Sequence, residues 1–213
     1  MNRVRWATSE FKPVESDTNV SREYVPRTHS EKQEKARCIL FVYVFSSRVN
    51  MTNKVHVVYY SRYYNIANFV DHYVTESTVT HAVDAEGNAP TYDGNAKFVF
   101  ICPTYEPEYV EPAFRFMEEH GHNCVGIVGS GDRNYGAIYL YSVFELAMKH
   151  NIRVYMGIEN MGMPHEGEIL ENLLVYLKTG KQLGQIETKG IDTEFKNYIE
   201  YKKAGNVEWH NPL

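Results

Sequence analysis

Beyond residue 54 the chain alternates short apolar runs with segments in which apolar residues recur every three or four positions. Run 55–60, Val-His-Val-Val-Tyr-Tyr, predicts a strand, and Ile66, Phe69, Val70 and Tyr73 follow at the i, i+3, i+4, i+7 spacing of one helix face opened by Asn65. A short strand is predicted over 79–83, and the turn formers of 86–90 and 93–94 part it from the next element. Run 97–102 is almost wholly apolar, the pattern of a strand buried on both faces. Pro112 suits the first turn of a helix carrying Phe114, Phe116 and Met117, which Gly121 ends. A second buried strand is predicted over 124–128, then a helix from about Asn134 to His150 with Tyr141, Phe144 and Met148 on one stripe, and a last strand over 152–156. The final core helix is predicted over 164–178. Glu166 and Glu168 sit in its first turn, Leu170, Leu173, Leu174 and Leu177 form its stripe, and Gly180 stops it.

Strands alternating with helices at these spacings imply an α/β fold: a parallel sheet with helices on both faces, in three αβα layers. Five strands is the count of the doubly wound arrangement with order 2-1-3-4-5. The core domain is expected over 51–180. Residues 1–50 read as an N-terminal extension that is disordered or outside the core, because its first 35 residues are polar, lack glycine and carry no periodicity. Met51 is expected to be the true start, because the first convincing strand begins a few residues later. Residues 181–213 read as a C-terminal extension outside the core, with a further helix over 192–203 and a polar tail.

Composition narrows the function classes. The 213 residues carry a formal net charge of -5, which divides unevenly: residues 1–50 hold 9 Lys and Arg against 6 Asp and Glu, and the remainder hold 13 against 21. An acidic body argues against nucleic acid as a partner, since phosphate backbones are bound by clustered Lys and Arg. Cys38, Cys102 and Cys124 are far apart with no C-x-x-C spacing, which indicates neither a metal site nor a disulfide framework and suits a reducing cytoplasm. The apolar run 38–45 is too short to span a bilayer and lies too deep for a signal peptide, so no membrane association is expected.

In an open α/β sheet of this order, ligands bind beyond the carboxyl ends of strands one, three and four. The first such loop, Ser61, Arg62, Tyr63, Tyr64, Asn65 and Ile66, leads into a helix N-terminus, where free N–H groups and the macrodipole suit a phosphate. Ser61 and Asn65 are equally what an ordinary turn and N-cap would carry. The second loop offers Thr104 and Tyr105 between Pro103 and Pro107: Tyr105 can stack on a flat ring and the Thr104 hydroxyl can reach its polar edge, although a surface tyrosine in a rigid turn reads the same way. The third loop, Ser130, Gly131, Asp132, Arg133, Asn134, Tyr135 and Gly136, is the most specific. Gly136 falls where a helix should begin, at a cost of up to about 1 kcal/mol relative to alanine, and glycines so placed permit positive φ or close backbone approach.

These motifs resemble the NrdI family of flavodoxin-like FMN proteins associated with class Ib ribonucleotide reductase. The likeness covers roughly residues 54–177 and rests on Gly-Ser-Gly-Asp-Arg-Asn-Tyr-Gly at 129–136 after a strand. It is supported by Glu159-Asn160-Met161-Gly162 after the last strand, by Ser61-Arg62 with Asn65, and by Pro103-Thr104-Tyr105. The resemblance implies a flavodoxin-like fold, FMN as cofactor and a role in deoxyribonucleotide synthesis as a redox accessory flavoprotein rather than a stand-alone enzyme. Its implied partners are the small subunit of class Ib ribonucleotide reductase, an electron donor that the sequence does not identify, and dioxygen. The reduced flavin would convert dioxygen to the oxidant that assembles the dimanganese tyrosyl-radical cofactor. The resemblance also places the backbone at Gly131-Asp132 near the flavin N5 edge. Arg133 would there supply a cation favouring the anionic reduced flavin, unless it pairs with a surface carboxylate instead. Tyr63-Tyr64 and Ile66 depart from the small or hydroxylic residues usual in the family's phosphate loop.

Two other readings share the fold. A conventional flavodoxin would shuttle single electrons and predicts a strongly acidic rim. A flavin-free interaction module would have lost the cofactor through Tyr63 and Tyr64, and would purify colourless where an FMN protein is yellow.

Overall fold

A strand can be apolar at every position only where both sheet faces are covered, and the run around Val99 meets that condition. In the computed structural model, which describes residues 54–205, β3 (Phe98–Pro103) is buried at all its positions. It is flanked by β1 (His56–Tyr60) and β4 (Cys124–Gly131), with β2 (Thr80–Val83) and β5 (Val154–Glu159) at the edges. All pairings are parallel and the order is β2-β1-β3-β4-β5, the predicted doubly wound arrangement. Edge strand β2 instead alternates exposed and buried positions. The readings of 1–50, including run 38–45 and Met51, and of the tail from 206 lie outside the described residues.

Helices cover the two faces. On one, α1 (Asn65–Tyr73) and α4 (Pro164–Thr179) pack Phe69, Val70, Leu170 and Leu173 onto Val57, Ile101 and Met156. On the other, α2 (Pro107–His120) and α3 (Tyr141–His150) pack Phe116, Met117, Val143 and Phe144 onto Phe98, Phe100 and Ile127. α5 (Ile191–Lys203) packs beside β5 and α3, with Ile191 and Tyr198 buried in the same cluster as Phe144. The C-terminal segment is therefore core up to this helix, contrary to the sequence reading. Its apolar side was hidden by low density: Ile191, Phe195, Tyr198 and Ile199 are spaced for one face, yet charged residues fill the rest of the helix. Tyr198 donates from its hydroxyl to Glu145 Oε1 at 2.6 Å, anchoring α5 to α3. Just before α5, Thr188 N–H donates to the Tyr155 carbonyl at 3.2 Å and Thr188 Oγ1 accepts from Gly157 N–H at 3.0 Å, so this segment shields the otherwise open edge of β5.

Three boundaries differ from the sequence reading. Pro107, not Pro112, occupies the first turn of α2, and Pro112 lies inside the helix. β4 continues through Gly129, Ser130 and Gly131, because these residues pair with Cys102 and Pro103 on one side and with Gly157, Ile158 and Glu159 on the other. The helix expected from Asn134 is broken into a 3-10 segment, Arg133–Ile138, and α3, with Leu140 at φ 60° between them. Packing forces the break. Tyr139 and Leu140 turn inward to fill the space left by two glycines: a Cβ at Gly157 would stand 2.4 Å from the Tyr139 hydroxyl, and one at Gly129 would stand 2.7 Å from Leu140 Cδ2.

At the opposite end of the sheet from the ligand loops, His56 Nδ1 and His81 Nε2 lie 2.9 Å apart, and His81 Nδ1 lies 2.8 Å from Thr91 Oγ1. One proton serves the His56–His81 contact, and protonating both rings would set two N–H groups against each other. Burial lowers both pKa values from 6.5, with Asp93 opposing in each case and Lys54 and Lys178 lowering His56 further. The neutral pair therefore belongs to the folded state, and the unfolded chain takes up protons first as pH falls below 6.5. Thermal melts should show a Tm that is flat above pH 7.5 and declines below 6.5, with a smaller decline in His81→Gln. An unchanged slope in that variant would remove the pair from the pH response.

Candidate functional site

The carboxyl ends of β1, β3, β4 and β5 converge on one crevice. At the first, the chain leaves Tyr60 and enters α1 through Tyr64, an N-cap with left-handed φ of 63° and no side-chain capping bond. Ser61 Oγ accepts from Ala67 N–H at 3.1 Å instead. The N–H groups of Asn65 and Ile66, at the first two helical positions, have no acceptor within the helix. Ile66 can contribute only this backbone group, since its side chain is buried in the core. Tyr63 and Tyr64 are 59% and 72% exposed. Arg62 lies over the Tyr109 ring at 4.5 Å.

The second loop is tied to both neighbours. Thr104 N–H donates to the Ser130 carbonyl at 2.7 Å, the Tyr105 hydroxyl donates to Asn65 Oδ1 at 3.1 Å, and Tyr141 donates its hydroxyl to the Tyr105 carbonyl. Tyr63 meets Tyr105 edge-on at 5.3 Å between centroids. Burial raises the pKa of the Tyr105 phenol, which keeps its proton for this bond.

Asn160 joins the loops. Its N–H donates to the Gly131 carbonyl at 2.8 Å, and its carbonyl accepts from Ser130 Oγ at 2.8 Å and from Asn65 Nδ2 at 3.4 Å. The residue is held at φ 51°, a left-handed conformation that asparagine tolerates better than most. The β5–α4 turn around it is fixed by the buried Glu166 carboxylate, which accepts from Glu159 N–H at 3.0 Å and Met163 N–H at 2.8 Å.

In the third loop, Asp132 caps the 3-10 segment by accepting from Asn134 N–H at 2.8 Å. Gly136 adopts φ 58° and ψ -121°, a region closed to residues with a Cβ, while nothing lies within 4 Å of where a Cβ would stand. Glycine is needed there for its φ, not for close approach. Arg133 pairs with Glu159 through Nε at 3.2 Å and with Glu194 of α5 through Nη1, and its guanidinium lies over the Tyr139 ring at 4.6 Å.

Of the predicted residues, Asn65, Thr104, Tyr105, Ser130, Gly131, Asp132 and Tyr135 line a single cavity of about 240 Å³. Ser61, Arg62, Tyr63, Tyr64 and Ile66 lie beside it at the α1 turn, and Arg133, Asn134 and Gly136 shape the third loop without lining it. Ile138, Tyr139 and Asn160 complete the walls. Asn160 belongs to the Glu-Asn-Met-Gly motif after β5, whereas Ile138 and Tyr139 were obscured by reading the loop as continuous helix. Two buried hydroxyls on these walls, Thr104 Oγ1 and Tyr139 Oη, make no hydrogen bond. Gly131 lies between the Thr104 hydroxyl and the Tyr139 ring: a Cβ there would come within 3.3 Å of Thr104 Oγ1 and 3.2 Å of ring carbons of Tyr139, whose hydroxyl lies against Gly157. Burial raises the Tyr139 pKa, so its hydroxyl stays a donor. The crevice thus offers a helix N-terminus for an anion, aromatic faces for a ring, and the unused Thr104 hydroxyl at a polar edge. Among the described residues no group of three or more His, Cys, Asp or Glu could hold a metal ion, and no helix is long and apolar enough to cross a membrane.

Comparison with known proteins agrees with this geometry. Residues 57–172, more than half of the chain, match the family described as NrdI Flavodoxin like. The chain is also 26% identical over 135 residues to Protein NrdI of Mesoplasma florum, an alignment covering 59% of this chain and 87% of that protein. The chain belongs to the NrdI flavodoxin-like family.

Proposed function

We propose that the crevice binds FMN and that the protein is the redox accessory factor of a class Ib ribonucleotide reductase. One observation carries the cofactor reading: Gly131, lacking a Cβ, lies between the Tyr139 ring edge and the buried, unpartnered Thr104 hydroxyl, in a cavity that Asn65 of the α1 N-terminus also lines. The residues fit the group. The N–H groups of Asn65 and Ile66, with Ser61, would hold the phosphate; Tyr105 and Tyr135 would flank the ring; Thr104 and the Gly131-Asp132 backbone would meet its polar edge. When bound, the cofactor would supply electrons to dioxygen, yielding the oxidant for the dimanganese site of the reductase small subunit. The chain's own part is to bind, orient and tune.

Tyr63 and Tyr64 are exposed, and backbone N–H groups rather than these side chains would hold the phosphate, which favours this reading over a flavin-free module. Titration of the purified protein with FMN should give a yellow complex with quenched flavin fluorescence. The reduced complex, mixed with manganese-loaded class Ib small subunit and oxygen, should generate a tyrosyl radical visible by electron paramagnetic resonance. No FMN uptake would sink the cofactor assignment, and FMN uptake without radical would sink the partner assignment.

A further inference from the structure

We propose that α5 is part of the cofactor site: through Glu194, and together with Glu159, it neutralises and holds Arg133, so that these two carboxylates position the 131–138 loop and set the charge at the cofactor edge. The inference rests on the FMN reading. It goes beyond it because Glu194 lies outside residues 57–172, the segment matched to the family.

Four contacts converge on one residue. Arg133 Nη1 pairs with Glu194 Oε1, and Arg133 Nε lies 3.2 Å from Glu159 Oε2. Arg133 N–H donates to Glu159 Oε1 at 3.2 Å, and the guanidinium covers the Tyr139 ring at 4.6 Å. Tyr139 is itself a wall of the cavity, and Asp132, the neighbour of Arg133, is another. The cluster therefore ties α5 and the end of β5 to both the backbone and the wall of the loop expected at the flavin. Glu194 and Glu159 are only 20% and 27% exposed, against 44% for Arg133, so the carboxylates form the fixed side of the clamp. α5 is in turn held in place by the buried Tyr198 and its bond to Glu145.

One cation against two carboxylates gives the cluster a formal charge of -1. Flavin that takes up two electrons and one proton gains one negative charge, so a more positive cluster favours the reduced form. Charge substitutions then predict an order. Glu194→Gln makes the cluster less negative, Arg133→Ala makes it more negative, and the double variant restores the original sum.

The test uses the full chain and dithionite as electron source, measuring the ratio of reduced to oxidised FMN affinity. Glu194→Gln should raise this ratio about threefold and Arg133→Ala should lower it by a similar factor, as befits a partly exposed cluster. The double variant should return to the wild-type ratio. Shifts in one common direction, or none, would mean a purely structural contact and overturn the tuning role. Amide exchange across 131–138 in the flavin-free protein provides the second arm: both single variants should exchange faster, and unchanged exchange would overturn the clamp. A wild-type protein that takes up no FMN would refute the cofactor reading, while the exchange arm would still decide the clamp.

Discussion

Replacing Glu166 with alanine is expected to destabilise the protein by about 2 kcal/mol, the cost of leaving two partly buried N–H donors without their acceptor. The carboxylate is 3% exposed and accepts from Glu159 N–H and Met163 N–H, which bracket the turn after β5. Its position in the first turn of α4 adds the favourable field of the helix N-terminus, and its bond to the N-cap N–H is one half of a capping box. Against this stands the desolvation of a carboxylate that has no cationic partner in these contacts. Removing the carboxylate recovers that cost, and this holds the net loss well below the sum of two charge-assisted bonds. Glu166→Gln keeps one good acceptor and should lose about half as much. Urea denaturation measures both, and an alanine variant within about 0.5 kcal/mol of wild type would refute the account. The same turn carries Asn160, whose backbone binds Gly131 and Ser130, so the alanine variant should also lose affinity for FMN.

The sheet was legible because its strands are buried on both faces and therefore written as apolar runs. Phe98 to Cys102 and the Leu stripe of α4 needed no tertiary information. What could not be read was geometry decided by contact between distant segments. Gly129 and Gly157 admit Tyr139 and Leu140, and that packing breaks a helix whose local pattern is continuous. β4 extends to Gly131 only because β3 and β5 pair with those residues. α5 was legible as a helix over 192–203 but not as core, since its burial rests on Ile191 and Tyr198 joining the cluster of Phe144.

The site divides in the same way. Residue types announced the loops: glycine where φ is positive, hydroxyl and amide groups at strand ends. Their assignment to roles depended on orientation. Arg133, open to reading either as a cation beside the flavin or as the partner of a surface carboxylate, pairs with Glu159 and Glu194, the second from a helix 61 residues later in the chain. Ile66 and Thr104 were placed side by side as candidates, yet one contributes only backbone and the other presents a buried hydroxyl with no hydrogen bond.

That hydroxyl yields the sharpest expectation. Thr104→Val removes a buried polar atom that makes no hydrogen bond while keeping the branched shape. The flavin-free protein should consequently be as stable as wild type or more stable by up to about 1 kcal/mol, since an unsatisfied buried hydroxyl carries a desolvation penalty. FMN binding should move the other way. If Thr104 Oγ1 meets the polar edge of the ring, valine leaves that ligand atom facing a methyl group, and affinity should fall about tenfold, equivalent to about 1.4 kcal/mol. Thr104→Ser, which keeps the hydroxyl, should bind within about threefold of wild type, allowing for its lost methyl and freer rotamer. Opposite signs in stability and affinity separate a ligand-facing hydroxyl from a packing residue, because a packing residue would lose both together. Thermal melts of the flavin-free variants beside FMN titrations read the two quantities independently, and a valine variant that binds FMN as tightly as wild type would take Thr104 out of the site.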